Sequence, residues 1–390
     1  MASNRSTFSQ MLQAADGRPS GFDYMRIGLA VAITLYHSVR VTFGTEVDHE
    51  LWQTLLRGPL RSVLPMFFVL SGFLVAGSLV RCRTLVSFLG LRAIRIYPAL
   101  IGEVLLSALI IGPFFTDLPL LQYFTDPQFF RYLANVTGHI SYWLPGVFAH
   151  NPDATVVNAQ LWTVPFELYC YLLLSGLTLL GLKKQRWIGL VALGALIVGY
   201  VVFRQFKPDP LAGLANLSGW ELMLYFLGGV CAYQFRDRIP AGPLLFCLSV
   251  ALSFVLLQTV PGGEYLAIPP VVYMTIYLGL TNYQQTIFSK LSDFSYGLFL
   301  YHWTIQQCLV ALLPQAKSAL LTAFVGLIGG LAIAWVSWTF IERPALSSKR
   351  RVLDLEDLFL AAGQRAHRAV CHLQERIMGT ATSVSGKDHR

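Results

Sequence analysis

Long apolar stretches, separated by short polar segments, dominate the hydrophobic pattern of this chain. Each stretch is about 20 residues long, the length that an α-helix needs to cross the hydrocarbon core of a membrane. Strict alternation of apolar and polar positions, which is typical of membrane β-strands, is missing. The pattern predicts about ten transmembrane helices at roughly 24–43, 61–80, 96–115, 161–181, 187–203, 218–235, 243–260, 265–281, 294–313 and 319–341.

Basic residues concentrate in every second segment between the predicted helices. Cytoplasmic loops of membrane proteins carry this excess of Lys and Arg, so we expect both termini to be cytoplasmic. The opposite segments are richer in Asp and Glu, which agrees with that orientation. The basic residues on the predicted cytoplasmic side are Arg81, Arg83, Arg92, Arg95, Lys183, Lys184, Arg186, Arg236, Arg238, Lys290, Arg343, Lys349, Arg350 and Arg351.

The predicted organisation is an all-α integral membrane protein in three parts. Residues 1–22 form a cytoplasmic N-terminal segment, 23–343 the ten-helix membrane domain, and 344–390 a cytoplasmic tail whose apolar spacing predicts an amphipathic interfacial helix. Within the membrane domain, 116–160 is a large extracytoplasmic or re-entrant segment. It is too rich in aromatic residues for a disordered linker, so it either dips back into the membrane or roofs a cavity.

Composition supports the membrane assignment and excludes several classes of protein. Of 390 residues, 55% are hydrophobic and only 13% are charged, too few charges for a soluble globular protein. The net charge of +8 does not indicate nucleic-acid binding, because the basic residues sit in the short loops. No spacing of His and Cys predicts a metal site. A phosphate-binding loop and a serine-nucleophile elbow are also missing.

His37 is the first candidate for chemistry. It lies in the outer half of the first predicted helix, where an ionisable group is costly and therefore a functional candidate. Imidazole is the side chain best suited to take a proton from a hydroxyl near neutral pH. The alternative is a histidine that only packs between helices, and spacing alone does not decide between the two.

Two arginines three residues apart, Arg92 and Arg95, lie on one helix face at the cytoplasmic rim. Guanidinium groups bind phosphate in a bidentate manner, so the pair is suited to a phosphate-bearing donor, although it could also only set topology. Arg26 either pairs with Asp23 at the surface or braces the donor pocket. Ser71, beside Gly72, either allows close helix packing or leaves room for a cofactor chain.

Glu167 and Trp162 lie near the outer end of the fourth predicted helix. Glu167 could orient His37 as the acid of a catalytic triad does, bind substrate hydroxyls, or form a structural pair with an arginine. Trp162 could provide a stacking surface for a sugar. His302, early in the ninth helix, is either a second polar group that contacts substrate or a structural residue.

Six blocks of sequence, in order, resemble the family-3 membrane acyltransferases, the bacterial O-antigen and exopolysaccharide O-acetylases. The resemblance runs from about residue 21 to 350. One departure is Ile27 between Arg26 and Gly28, where the family usually has Arg-Gly. The matching blocks are Asp23–Arg26–His37, FFVLSGFL (67–74), RAIRIYP (92–98), Trp162 with Glu167, SYGLFLYHW (295–303) and IERP (341–344).

The resemblance implies an enzyme of the bacterial inner membrane with acyl-coenzyme A as donor and no metal. It implies that His37 is the essential histidine, that Arg92 and Arg95 lie near the donor, and that the acceptor is a hydroxyl of a surface or secreted glycan or its lipid-linked precursor. Acetyl is the expected acyl group. The oligomeric state stays open, with a homodimer as one form.

Two other functions compete with catalysis. A transporter of a lipid-linked sugar would suit ten helices with polar groups at mid-depth, but the sequence lacks the internal repeat that such transporters show. A scaffold in a polysaccharide assembly complex would explain the aromatic segment 116–160, yet would give His37 and the two arginines no purpose.

Overall fold

The computed structural model describes residues 6–206 and 217–349, together with 354, 356–358, 360 and 361. These residues form helices and connecting turns, without β-strands. Most of the predicted amphipathic tail, and residues 1–5 of the N-terminal segment, lie outside the described residues. Each apolar stretch contains a long helix: α1 Gly21–Phe43, α2 Arg57–Arg81, α3 Leu85–Leu105, α4 Val164–Leu179, α5 Trp187–Phe206, α6 Gly219–Gln234, α7 Pro243–Thr259, α8 Ile268–Leu280, α9 Ser295–Leu312 and α10 Ala319–Ser337.

Four helical segments of the described chain are long and apolar enough to cross a membrane: Arg57–Arg81, Leu85–Phe115, Trp187–Phe206 and Ala319–Ser347. The second of these includes a π-helical turn after α3, and α7 and α8 are apolar but shorter. The number of ten crossings and the cytoplasmic position of the termini stay predictions. Shorter helices connect the long ones: Phe8–Ala14, Thr45–Leu51, Gly112–Phe115, Leu120–Thr125, Pro127–Leu133, Gly263–Leu266, Ile287–Lys290 and Arg343–Ser347.

The direction of α1 defines two ends of the bundle. At its start, the Gly21 amide donates a hydrogen bond of 3.0 Å to the carbonyl of Thr281, directly after α8. At its end, the Thr42 hydroxyl donates to the Thr322 hydroxyl near the start of α10, at 2.9 Å. We call the end with Gly21 the inner end and the end with Thr42 the outer end.

Two glycines bring α2 and α6 into close contact. A Cβ atom at Gly72 would lie 2.0 Å from the carbonyl oxygen of Phe226, and one at Gly229 would lie 2.2 Å from that of Val69. Small residues allow this approach of two helix backbones. The close contact holds α2 in place at the depth where its Ser71 faces the site.

A buried ionic network joins α2, α5 and α6 toward the outer end. Arg61 Nη2 lies 3.6 Å from Glu221 Oε2 and 3.5 Å from Glu264 Oε2, and Arg204 Nη1 lies 3.7 Å from Glu221 Oε1. The side chains of Arg61 and Glu221 are 9% and 2% exposed. Two arginines thus balance two carboxylates, an arrangement that a buried charge requires.

Candidate active site

Two histidines from different helices meet near the outer end of the bundle. His37 of α1 and His302 of α9 are joined by a hydrogen bond of 2.8 Å between Nδ1 of the first and Nε2 of the second. The two ring planes differ by only 10°. Nδ1 of His302 lies 2.9 Å from the Leu298 carbonyl oxygen. The pair is fully buried except for part of His37, which is 9% exposed.

These hydrogen bonds assign the tautomers of both rings. A carbonyl oxygen only accepts, so Nδ1 of His302 carries a proton and donates to Leu298. In a neutral ring the other nitrogen then accepts, so His37 donates from Nδ1 to His302 Nε2. Nε2 of His37 is left with a free lone pair, which is the arrangement that a general base needs.

His37 lies in the wall of an outer cavity of about 420 Å³. Aromatic rings dominate this cavity, and they offer flat apolar faces beside N–H and O–H groups. Trp162, predicted as a stacking surface, is part of the wall, whereas His302 stands behind His37 and is not. The aromatic side chains of the wall are Tyr36, Trp52, Tyr142, Trp143, Trp162 and Trp303.

Arg40, one turn beyond His37, is a charged residue of this wall that the sequence did not single out. Its guanidinium stacks on the ring of Trp303 at 5.6 Å. Its Nε donates to Asp153 Oδ2 at 2.8 Å, and Nη1 lies 3.9 Å from Asp48. Burial raises the pKa of the Asp48 carboxyl, although a hydrogen bond from Tyr36 and the charge of Arg40 oppose that effect.

The segment 116–160 closes one side of the outer cavity. Tyr142 and Trp143 line the cavity, and whether the segment also dips into the membrane stays a prediction. Asn158 anchors the end of the segment, because its amide donates to the buried Glu103 of α3 at 2.6 Å. Asn151 donates to the Gln307 side chain of α9 at 2.7 Å. These bonds tie the segment to α3 and to α9, the helix that carries His302.

A second, inner cavity of about 180 Å³ collects the residues predicted to bind the donor. Arg26, Arg92, Arg95 and Ser71 all lie in its wall, and so does Glu167. Its lining holds three arginines and one carboxylate, and the carboxylates of Asp23 and Glu342, which pair with Arg26 and Arg95, lie outside the lining. The cavity is therefore suited to an anionic ligand.

The arginines of the inner cavity keep part of their hydrogen-bonding capacity. Arg92 donates to the Ser78 hydroxyl at 3.2 Å, while its buried Nε has no partner among the described residues. Arg95 Nη1 lies 3.8 Å from Glu342, which belongs to the IERP block of the family resemblance. Arg26 pairs with Asp23 at 3.5 Å and also lines the inner cavity, and its contact with a donor stays a prediction.

The expectation that Glu167 orients His37 is wrong in its geometry. Glu167 lies in the inner cavity and accepts a hydrogen bond from the Tyr171 hydroxyl, whereas the partner of His37 is His302. Along α4 the chain runs inward from Trp162, and five residues of helix place Glu167 about 7 Å deeper. His37, by contrast, lies near the outer end of α1.

Leu64 of α2 is part of the wall of both cavities. Just before α4 the change from one cavity to the other falls between consecutive residues, because Trp162 lines the outer cavity and Thr163 the inner one. The two cavities therefore adjoin, with the side chain of Leu64 between the arginines and the histidine pair.

The chain is similar to proteins of one known family. A family model described as an acyltransferase domain matches residues 20–339. The chain is similar to nodulation protein 10 of Rhizobium leguminosarum bv. viciae, with 24% identity over 351 residues, 85% of this chain and 94% of the relative. It is also similar to the O-acetyl transferase of Shigella phage Sf6, with 23% identity over 313 residues, 75% of this chain and 86% of the relative. No solved structure matches the chain significantly.

Proposed function

The chain belongs to the acyltransferase-domain family, and from that premise we propose that it is a membrane O-acetyltransferase that moves an acetyl group from acyl-coenzyme A to a glycan hydroxyl. The name of the phage relative supports the acetyl group and the oxygen acceptor. The apolar helices support a position in a membrane, which we take to be the bacterial inner membrane.

The donor in this proposal enters through the inner cavity. Three arginines suit the phosphates of coenzyme A, and the unpartnered Nε of Arg92 is free to bind one of them. The volume of about 180 Å³ is below the ~300–1,000 Å³ that holds a drug-sized ligand. The pantetheine arm therefore occupies the cavity, with Ser71 beside it, and the nucleotide stays at the rim.

The acceptor in this proposal occupies the outer cavity. Trp52, Trp143 and Trp162 supply faces on which a sugar ring stacks, and Arg40 with Asp153 offers polar groups to its hydroxyls. With both termini cytoplasmic and ten crossings, the inner end faces the cytoplasm. Donor and acceptor then come from opposite sides of the membrane.

The reaction needs one base and no redox change. His37 Nε2 takes the proton of the acceptor hydroxyl as its oxygen attacks the thioester carbonyl carbon. The carbon–sulfur bond breaks, and the thiolate of coenzyme A takes the proton from His37. Throughout, His302 accepts the hydrogen bond from His37 Nδ1 and stabilises the imidazolium that forms.

One observation carries the proposal: a histidine with a free lone pair faces an aromatic cavity that adjoins an arginine-lined one. His37→Ala should lower acetyl transfer by ~10²–10⁴-fold, the usual contribution of a general base. Mass spectrometry of glycans from cells that express each form measures this. His49→Ala, on an exposed helix outside the cavities, is the matched control. Equal acetylation by His37→Ala would remove His37 from the mechanism.

A further inference from the structure

A third cavity lies farther toward the inner end than the two already described. It measures about 270 Å³ and opens between α2, α4, α6 and the turn before α5. Going inward along α2, Leu64 and Ser71 belong to the first two cavities, and Leu79 belongs to this one. We call it the basic cavity, because Lys183, Lys184, Arg186 and Arg236 line it.

The positive charge of the basic cavity is largely uncompensated. Lys183 donates to the Cys82 carbonyl at 2.9 Å, which positions the ammonium without neutralising it. Arg186 pairs with Asp237 at 3.1 Å. Lys184 has no side-chain partner among the described residues.

Arg236 is held in place by neutral groups only. Its Nη1 donates to the Tyr233 carbonyl at 2.6 Å, and its guanidinium lies over the Tyr233 ring at 4.1 Å. Among the described residues, one carboxylate therefore balances four cations. The described residues therefore leave an excess of positive charge in the cavity, which an anionic ligand would neutralise.

The surroundings of the basic cavity are apolar, which narrows the class of ligand. Leu79, Leu174 and Val230 form its inner wall. Leu179 and Leu180 at the end of α4 are 78% and 73% exposed. The adjoining α5 is almost uncovered, with 6% of its apolar window buried inside the protein. An anion with long apolar chains can contact both the basic residues of the cavity and the exposed apolar side chains of α4 and α5. A free phosphate contacts only the basic residues.

We propose that the basic cavity binds the headgroup of an anionic phospholipid, with the acyl chains of that lipid lying along α5. Basic pockets between helices at a membrane surface bind anionic headgroups in this way. The proposal concerns binding only, so it stands or falls independently of acetyl transfer.

The test uses the purified full chain in detergent and native mass spectrometry with phosphatidylglycerol or phosphatidylcholine. Wild-type protein should bind phosphatidylglycerol more tightly. Each basic residue near an anionic lipid contributes about fivefold in affinity, so Lys184→Gln should weaken phosphatidylglycerol binding roughly fivefold and leave phosphatidylcholine unchanged. Lys184 makes no side-chain bond to other described residues, so its replacement should not disturb folding.

Two controls separate this site from general attraction to negative charge. Arg238→Gln removes one charge from the same loop as Arg236 but outside the cavity, and should leave the lipid preference intact. Inorganic phosphate is the soluble competitor, and it should displace the lipid poorly. Equal affinity for both lipids, an equal loss in Arg238→Gln, or full displacement by inorganic phosphate would each overturn the proposal.

Discussion

At the scale of single residues, the protonation pattern of the histidine pair depends on one acceptor atom, the carbonyl oxygen of Leu298. His302 fixes which nitrogen of His37 carries a proton, because its own Nδ1 is committed to the Leu298 carbonyl. His302 does not line the outer cavity, so in the proposed mechanism it is a positioning residue. Its contribution is orientation and stabilisation of charge on His37.

His302→Gln and His302→Ala should separate these contributions. The Gln amide oxygen can accept from His37 Nδ1, so we expect His302→Gln to keep more acetyl transfer than His302→Ala. Loss of the acceptor in His302→Ala should cost on the order of 10²-fold, within the range of general-base catalysis. Turnover of purified protein measures both, and equal rates for the two variants would contradict a positioning role.

The sequence indicated most of the residues that line the candidate site, but it did not indicate which of them contact each other. His37, Arg92 and Arg95 stood out because ionisable groups are rare in apolar segments. Of the three roles considered for Glu167, orientation of His37 does not fit the structure, because a sequence gives position along a helix but not depth relative to its neighbours. Arg40 and Arg61 were missed because each sits close to a predicted helix end, where basic residues are ordinary.

At the scale of helices, the apolar stretches located every long helix, but their ends were less accurate. The helix predicted from 96 begins at Leu85, since Thr84 caps it by accepting from the Ser87 amide at 3.2 Å. Arg92 and Arg95 thus lie in the middle of α3, as their shared helix face requires, and not ahead of its first residue. The π-helical turn at Leu106–Ile111 has no sequence signal that we recognise.

Helix contact at Gly72 gives a test of packing. Gly72→Ala forces a Cβ to within 2.0 Å of a carbonyl oxygen, and overpacking of this kind costs about 1–3 kcal/mol. We expect a lower midpoint in thermal unfolding of the purified protein. Gly176→Ala is the matched control, because nothing lies within 4 Å of its Cβ, and it should be neutral or slightly stabilising. Equal midpoints for the two variants would refute close packing at Gly72.

At the scale of the whole molecule, the two cavities divide the work of the proposed enzyme. Leu64 lines both cavities, so in the proposed reaction the acetyl group passes beside it to reach His37. Donor binding and acetyl transfer are thus separable steps of one path. The path runs between helices from both halves of the chain, so it exists only in the assembled bundle.

Leu64→Trp should block this path. The larger ring would fill the junction, so we expect acetyl transfer to fall at least as far as in His37→Ala. Binding of acetyl-coenzyme A, measured by calorimetry, should change little because the arginines are untouched. Leu64→Met, of similar volume, is the control and should keep activity. Full activity of Leu64→Trp would show that the acetyl group does not pass this residue.

The ionic network around Arg61 constrains how the protein is made. Arg61 on α2 emerges from the ribosome long before Glu221 on α6 and Glu264. Arg61 lies one turn into α2, so until the carboxylates arrive its guanidinium has only water and lipid headgroups at the outer end as partners. A chain that stops before α6 lacks Glu221 and Glu264, and we expect membrane proteases to degrade it faster than the full chain.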